Sequence, residues 1–202
     1  IGSEDKLLDP FCGSGTILQE AVILGYQNII GTDISGSATL NTKKNIDWLF
    51  LNFKQLDSSL YNINVYQSDV RSISSSIKSN SIDAIVTEPY LGPPLYRQPD
   101  ITSAEKTSVE VGQLYIDSFH EFHKILKSSG KVIFIFPAFD INGKMHFVPI
   151  LDKIEKMGFR RLDCFPGGIV KNPAVNLTVR GTILYGSREQ FVKREITLWQ
   201  KI

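Results

Sequence analysis

The chain alternates short apolar runs with longer amphipathic stretches, and this alternation restricts its possible folds more than any other feature. The apolar runs predict strands over residues 6–9, 28–33, 63–66, 82–87 and 131–136. The stretches between them predict helices over residues 16–25, 37–53 and about 110–126. Such an alternation indicates a parallel sheet with helices on both faces. The continuous apolar strands agree, because strands of this kind are buried on both sides.

The last third of the chain shows a different pattern. A helix is predicted over residues 146–157, followed by strands over 160–165 and 178–185. No helix is predicted between these two strands, so one of them is expected to run antiparallel. A chain of 202 residues can form one domain with a sizeable core. We therefore expect a single α/β domain over residues 1–202, with a long loop over residues 89–107.

A glycine-containing loop joins the first predicted strand to the first predicted helix. Gly13 and Gly15 allow the backbone to turn sharply and to approach a ligand closely. In open α/β sheets, ligands bind beyond the carboxyl ends of the strands, which is where this loop lies. The candidate cofactor-binding residues are the loop itself, Asp9, Pro10, Phe11, Cys12, Gly13, Ser14, Gly15 and Thr16, and two later strand ends, Asp33 with Ile34 and Asp69 with Val70.

The loop and its acidic partners indicate which ligand is bound. A phosphate-binding loop would carry a lysine after its second glycine, and none follows Gly15. A dinucleotide fingerprint would carry a third glycine where Leu18 stands. Asp33 follows Gly15 at a spacing that suits a carboxylate accepting from ribose hydroxyls, and Asp69 is placed to reach an adenine edge. A ligand with ribose and adenine but no pyrophosphate fits best, which favours S-adenosylmethionine over NAD.

The segment from Asp9 to Thr16 closely resembles the first motif of class I amino-methyltransferases. It is most similar to the THUMP-associated RNA methylase family, which includes tRNA guanosine N2-methyltransferases, and the resemblance spans nearly the whole chain. It implies a Rossmann-like, seven-stranded sheet, mostly parallel with its last strand antiparallel and with helices on both faces. It also implies that the substrate is the exocyclic amino group of a base, foremost guanosine N2 in tRNA or another RNA.

A second motif follows the fourth predicted strand. The family places Asp/Asn/Ser-Pro-Pro-Tyr/Phe here, and this chain has Thr87, Glu88, Pro89 and Tyr90, which depart from that pattern at the first two places. An exocyclic amine is a poor nucleophile, so its hydrogens must be held by acceptors that aim the nitrogen at the methyl donor. We expect Thr87 or Glu88 to be that acceptor, Pro89 to fix the backbone and Tyr90 to stack on the base.

Charge and composition say little about the partner. The chain carries 22 basic and 21 acidic side chains, a net charge of +1, whereas a domain that gripped nucleic acid alone would be more basic. We therefore expect an RNA-binding domain upstream of residue 1. Candidate phosphate contacts are Lys43, Lys44, Arg97, Lys171, Arg180, Arg188, Lys193 and Arg194.

The sequence also suggests where the protein works. No apolar run reaches the roughly 20 residues of a membrane helix, and two cysteines imply no disulfide framework, so a cytoplasmic location is expected. His120 and His123 lack further ligands nearby, so no metal site is expected.

Three alternatives to RNA methylation stay open at this stage. A DNA adenine or cytosine amino-methyltransferase uses the same chemistry, but a target-recognition segment is not evident in this chain. A protein glutamine methyltransferase would carry Asn-Pro-Pro-Tyr in the second motif. A module that binds S-adenosylmethionine without turnover is compatible with the altered second motif. The oligomeric state cannot be read from the sequence.

Overall fold

The structure, a computed structural model, describes residues 2–164, 177–187 and 189–202. The strands within these residues are β1 (Lys6–Asp9), β2 (Asn28–Asp33), β3 (Asn62–Gln67), β4 (Ile82–Thr87), β5 (Leu126–Ile141), β6 (Lys144–Phe147), β7 (Phe159–Leu162), β8 (Ile183–Tyr185) and β9 (Val192–Lys201). The helices are α1 (Thr16–Ile23), α2 (Gly36–Asn52), α3 (Ile101–Ile125) and α4 (Leu151–Lys156), with short 3-10 helices at Ser58–Leu60 and Val70–Ser75. None of the helices in the described ranges has both the length and the apolar character that a membrane span requires.

The strands form one sheet whose main path runs in the order β3-β2-β1-β4-β5-β9-β7. The first five strands pair in parallel, and β9 runs antiparallel to both β5 and β7. The short strands β6 and β8 pair at the side of this path, with β5 and β9 respectively. The main path therefore confirms the predicted seven-stranded, mostly parallel sheet with its last strand antiparallel.

Two hydrophobic clusters cover the two faces of the sheet. Consecutive residues of a strand point to opposite faces, and Leu7 and Leu8 of β1 accordingly belong to different clusters. The Leu7 cluster includes Leu18 of α1 and Leu49 of α2. The Leu8 cluster contains the aromatic side chains of α3, among them the fully buried Phe119. Burying an aromatic side chain of this size stabilises the fold by roughly 2–3 kcal/mol, so the helices are fixed to both faces, as predicted.

The helix predicted from about residue 110 begins nine residues earlier, at Ile101. Its start is set by Asp100, whose carboxylate accepts a hydrogen bond of 2.7 Å from the backbone nitrogen of Ser103. Such an N-cap satisfies one of the donors that a helix start leaves without partners. The loop after β4 is consequently shorter than the sequence predicted.

The C-terminal third differs most from the prediction. The helix predicted over 146–157 is observed only in its second half, as the six-residue helix α4, and its first two residues belong to the strand β6. The strand predicted over 160–165 is observed as β7, and its predicted end at Phe165 lies outside the described residues. The antiparallel strand is β9, which was not predicted because three consecutive charged residues follow its first residue, Val192. Each has a partner in the fold: Lys193 contacts Asp140, Arg194 contacts Glu88 and Glu195 contacts Arg180.

Candidate active site

The glycine loop between β1 and α1 is a tight bend held by backbone hydrogen bonds. Gly13 and Gly15 have φ values of +53° and +87°, the left-handed conformation that glycine adopts without strain. A Cβ atom on Gly15 would lie 2.7 Å from Cγ2 of Thr42 in α2. The Thr42 hydroxyl donates to the Gly13 carbonyl at 2.9 Å, and the Cys12 nitrogen donates to the Thr32 carbonyl at 2.9 Å. The bend is therefore packed on its α2 side.

Asp33, at the end of β2, points its carboxylate at this bend. Its Oδ2 accepts a hydrogen bond of 3.0 Å from the Gly13 nitrogen, and its Oδ1 accepts one of 2.9 Å from the Ser35 nitrogen. A carboxylate has about four lone-pair positions, so each oxygen can accept a further hydrogen bond from a ribose hydroxyl. The next residue, Ile34, exposes 61% of its surface and offers an apolar wall beside the carboxylate.

Asp69 lies after β3, at the start of the 3-10 helix Val70–Ser75, and is already bound to Arg71. The guanidinium of Arg71 donates to both oxygens, at 2.6 Å in the shortest contact, and these hydrogen bonds hold the pKa of Asp69 below its usual value. The predicted acceptor for an adenine edge is thus placed at the right strand end, but with a cation beside it. Val70 is buried behind it.

A cleft of about 600 Å³ opens at the carboxyl ends of these strands. This volume lies in the range of small-molecule sites, and the position is the point at which strand order reverses. Its lining comprises Pro10, Phe11, Asp33, Ile34, Asp69, Val70, Arg71, Glu88, Pro89, Tyr90 and Leu114. A second groove, of about 550 Å³, lies between α3 and the segment from β6 to α4, along the side of α3 and away from these strand ends.

The cleft brings together only part of the predicted cofactor set. Six of the predicted residues line it: Pro10, Phe11, Asp33, Ile34, Asp69 and Val70. The other six do not line it. Asp9, Cys12 and Gly15 are buried, whereas Ser14 and Thr16 are exposed. Gly13 is connected to the cleft through the hydrogen bond from its nitrogen to Asp33. Burial raises the pKa of the Cys12 thiol to about 11, which does not suit a nucleophile at neutral pH.

The lining fits an adenosyl ligand better than a pyrophosphate. Asp33 offers acceptors for ribose hydroxyls, and Ile34 and Phe11 offer apolar contacts. Among the described residues that line the cleft, Arg71 is the one cation, and its guanidinium is paired with Asp69. S-adenosylmethionine therefore matches the residues that would hold it.

Thr87 does not face the cleft. It is 1% exposed, and its hydroxyl donates a hydrogen bond of 2.6 Å to Oδ1 of Asp9, which is equally buried. Burial is the main reason that the pKa of Asp9 rises to about 7, and the charges of Asp33 and Glu88 raise it further. The structure thus removes the Thr87 side chain from the set predicted to hold the base, because that hydroxyl links β4 to β1 beneath the cleft.

Glu88 is the first residue beyond β4, and it lines the cleft. It forms a two-point ion pair with Arg194 of β9, in which Nε and Nη2 each donate at 2.8 Å. Because Thr87 is the last, buried residue of the strand, Glu88 is the first acidic residue beyond this strand end. Arg194 was predicted to contact phosphate. Its pair with Glu88 could not be predicted from the sequence, because the two residues are 106 positions apart.

Pro89 and Tyr90 form the remaining wall beside Glu88. Pro89 is buried, whereas Tyr90 exposes 55% of its surface at the mouth of the cleft. The backbone carbonyl of Tyr90 accepts a hydrogen bond of 2.6 Å from the hydroxyl of Tyr115. Tyr115 lies in α3 and is fully buried, so it anchors this loop. The Tyr90 ring is therefore available for stacking while its backbone is fixed.

Most of the predicted phosphate contacts are not grouped at the cleft. Arg180 pairs with Glu195 at 3.3 Å and its guanidinium lies over the ring of Phe147. Lys193 lies 3.6 Å from Asp140. The candidates that the structure exposes are Lys43, Lys44 and Arg97, and two others, Lys171 and Arg188, lie outside the described residues.

Comparison with known proteins identifies a family and curated proteins that are similar to this chain. A family model described as "RMKL-like, methyltransferase domain" matches residues 1–142, which include the glycine loop and the segment from Thr87 to Tyr90. The tRNA (guanine(10)-N2)-dimethyltransferase of Methanothermobacter thermautotrophicus is 28% identical over 135 residues, which make up 67% of this chain and 34% of that protein. The chain thus spans about a third of the length of this relative.

Solved structures share the fold at lower identity. NSun6 from Pyrococcus horikoshii, determined with the S-adenosylmethionine analogue SFG, has a TM-score of 0.67 at 14% identity and covers 98% of this chain and 48% of that one. A SAM-dependent methyltransferase from Methanosarcina mazei has a TM-score of 0.57 at 16% identity and covers 100% and 94%. At these identities the similarity is one of fold, the class I Rossmann-like methyltransferase fold.

Proposed function

The chain belongs to the RMKL-like methyltransferase domain family, and from that premise we propose that this S-adenosylmethionine-dependent methyltransferase acts on the exocyclic amino group of a nucleic-acid base. The first candidate is guanosine N2 in tRNA or another RNA. One observation carries the proposal: Glu88 and Tyr90 line the same cleft as Asp33.

The chemistry of the amine explains why these groups belong together. Bound S-adenosylmethionine would supply an electrophilic methyl group on its sulfonium. The amine nitrogen is weakly nucleophilic, because its lone pair is delocalised into the base ring. In this proposal Glu88 would accept the amine hydrogens and take up the proton that is released. Tyr90 provides a flat, exposed face on which an unpaired base can stack.

The residues proposed to hold the cofactor act by shape and hydrogen bonding. Asp33 would accept from the ribose hydroxyls while the Gly13 nitrogen fixes its orientation. Ile34, Phe11 and Val70 would supply apolar contacts to the adenine. Asp69 would reach the adenine edge with whatever acceptor capacity its pair with Arg71 leaves. No residue of this set is required to donate or accept a proton in the transfer itself.

The name of the relative supports an RNA substrate, whereas the net charge of this chain does not. The Methanothermobacter relative is named for guanine N2 in tRNA, and the aligned residues are a third of its length. The near-neutral charge of this chain makes it a weak phosphate binder by itself. We therefore propose that a separate domain provides most of the RNA-binding surface and that residues 1–202 carry out the methyl transfer. We propose a cytoplasmic location, which is consistent with an RNA substrate of this kind.

Transfer of a tritiated methyl group tests the proposal directly. The protein is incubated with labelled S-adenosylmethionine and with unmodified tRNA, DNA or bulk protein in separate reactions, and labelled tRNA is digested to nucleosides. We expect label in RNA, on a guanosine that carries the methyl at N2. The Asp33→Ala variant serves as a control that the label comes from this cleft. Label confined to DNA or to protein would refute the RNA proposal, and binding of S-adenosylmethionine without any transfer would indicate a binding module.

A further inference from the structure

The ion pair between Glu88 and Arg194 connects two elements of the sheet at the cleft. Glu88 follows β4, and Arg194 belongs to β9, where it lies opposite Pro137 of β5 and Tyr185 of β8. The guanidinium contacts both carboxylate oxygens, with donor–acceptor distances of 2.8 Å each. The exposed fractions are 30% for the Arg194 side chain and 35% for Glu88, so water reaches the pair only in part.

A two-point contact of this kind fixes the plane of a carboxylate. Arginine presents its donors in a rigid fork that matches the two oxygens, which a lysine cannot do. Glutamate has one more rotatable bond than aspartate, so without a partner its carboxyl group would be less well oriented. Arg194 removes that freedom, and each Glu88 oxygen keeps a lone pair for another donor.

The pair also forms a partition between two cavities. Glu88 lines the cleft that contains Asp33, whereas Arg194 lines a neighbouring cavity of about 460 Å³ between the loop after Tyr90 and the start of β9. A base that reaches Glu88 from this side must pass the guanidinium. Arg194 is therefore in a position to affect Glu88 without itself lining the cofactor cleft.

We propose that Arg194 is a positioning residue for Glu88, which holds the carboxylate in the orientation that accepts the amine hydrogens of the target base. This inference rests on the proposed function of Glu88. It does not depend on the substrate being RNA, because the same orientation is needed for any delocalised amine. If Arg194 instead occupied Glu88 and had to be displaced by the substrate, its removal would raise the rate, so the two cases predict opposite changes in rate.

The test compares Arg194→Met with Arg160→Met on whichever acceptor the wild-type protein methylates. Arg160 is an exposed arginine of β7 that contacts Gln200 and has no part in the site. For Arg194→Met we expect kcat to fall about 10- to 100-fold, the size of effect that a small misplacement of a catalytic group produces. The dissociation constant for S-adenosylmethionine should stay within about twofold of wild type, since the cofactor residues are untouched. Arg194→Lys should recover only part of the rate.

Two further measurements separate positioning from other roles. In combination with Glu88→Gln, the Arg194→Met change should lower kcat no further, because Arg194 acts through Glu88. A double-mutant cycle on the free energy of unfolding should show coupling between the two side chains, a readout that needs no activity. A higher kcat for Arg194→Met would overturn the proposal, as would an unchanged kcat with a raised KM, full additivity with Glu88→Gln or no coupling in the cycle.

The outcomes also distinguish this inference from the proposed function. Transfer to DNA or protein but not to RNA would refute the RNA substrate and leave the role of Arg194 to be decided by the same kcat comparison. A wild-type protein that methylates none of the three acceptors would overturn both.

Discussion

Replacing Gly15 by alanine should destabilise the protein for two reasons, backbone strain and a steric clash. Gly15 has a φ of +87°, and an added Cβ would lie 2.7 Å from Cγ2 of Thr42. Gly25, after α1, has nearly the same φ of +85°, but nothing lies within 4 Å of its added Cβ. The two substitutions thus share the backbone strain, and only one adds a steric clash.

The expected magnitudes follow from this difference. A left-handed conformation costs an alanine roughly 1–2 kcal/mol, which should be the whole effect of Gly25→Ala. Forcing an extra carbon into a packed contact adds roughly 1–3 kcal/mol, so Gly15→Ala should lower the free energy of unfolding by about 2–5 kcal/mol. A second change, Thr42→Ser, should recover part of this loss, because it removes Cγ2 but leaves Cβ and Oγ at just over 3 Å.

Urea denaturation followed by circular dichroism measures the free energies, and calorimetry measures binding of S-adenosylmethionine. Movement of the bend away from Thr42 would also move the Gly13 nitrogen that orients Asp33, so Gly15→Ala should weaken binding whereas Gly25→Ala should not. Equal destabilisation by the two alanines, or no recovery with Thr42→Ser, would refute the packing argument. Unchanged affinity in Gly15→Ala would refute the link between the bend and the cofactor site.

Three other substitutions test the remaining parts of the site. Asp33→Ala should weaken S-adenosylmethionine binding about 10- to 100-fold by calorimetry, because hydrogen bonds to a charged group are lost. The control is Asp47→Ala, at an exposed aspartate of α2. Equal affinities of the two variants would contradict the assignment of Asp33 to the ribose. The pKa of Asp9 is about 7 when folded against 3.8 ordinarily, so the unfolded chain releases its proton first and stability should fall as pH rises from about 4 to 7. Asp9→Asn should abolish that fall and gain up to about 4 kcal/mol at pH 8 in urea titrations, and an unchanged pH dependence would show that Asp9 is ionised in the fold. Tyr90→Ala should leave cofactor affinity intact and lower kcat/KM about 10- to 100-fold through lost stacking. The control Tyr96→Ala, at a residue 93% exposed, should not lower kcat/KM. Full activity of Tyr90→Ala in the tritium assay would exclude the stacking role.

Local sequence predicted those parts of the fold whose cause is local. The five parallel strands were found because each contains a short run rich in apolar residues, and the bend at Gly13 and Gly15 was found because the left-handed conformation favours glycine. Asp33 was identified from its spacing, since the first strand–helix–strand unit has a nearly fixed length. The burial of Thr87 could not be predicted, because the sequence does not reveal that β4 ends at Thr87 and that its hydroxyl binds Asp9.

The amino-acid sequence by itself determined the α/β class, the glycine bend and the carboxylate that faces it, because these depend on hydrophobic periodicity and on backbone conformation within a few residues. Only the tertiary structure decided that Val192–Lys201 is the antiparallel strand between β5 and β7, that Asp9 binds Thr87 and that Arg194 binds Glu88. Those contacts join residues 78 and 106 positions apart. Charges that resemble a solvated surface in the sequence become buried or paired once the sheet brings their partners beside them.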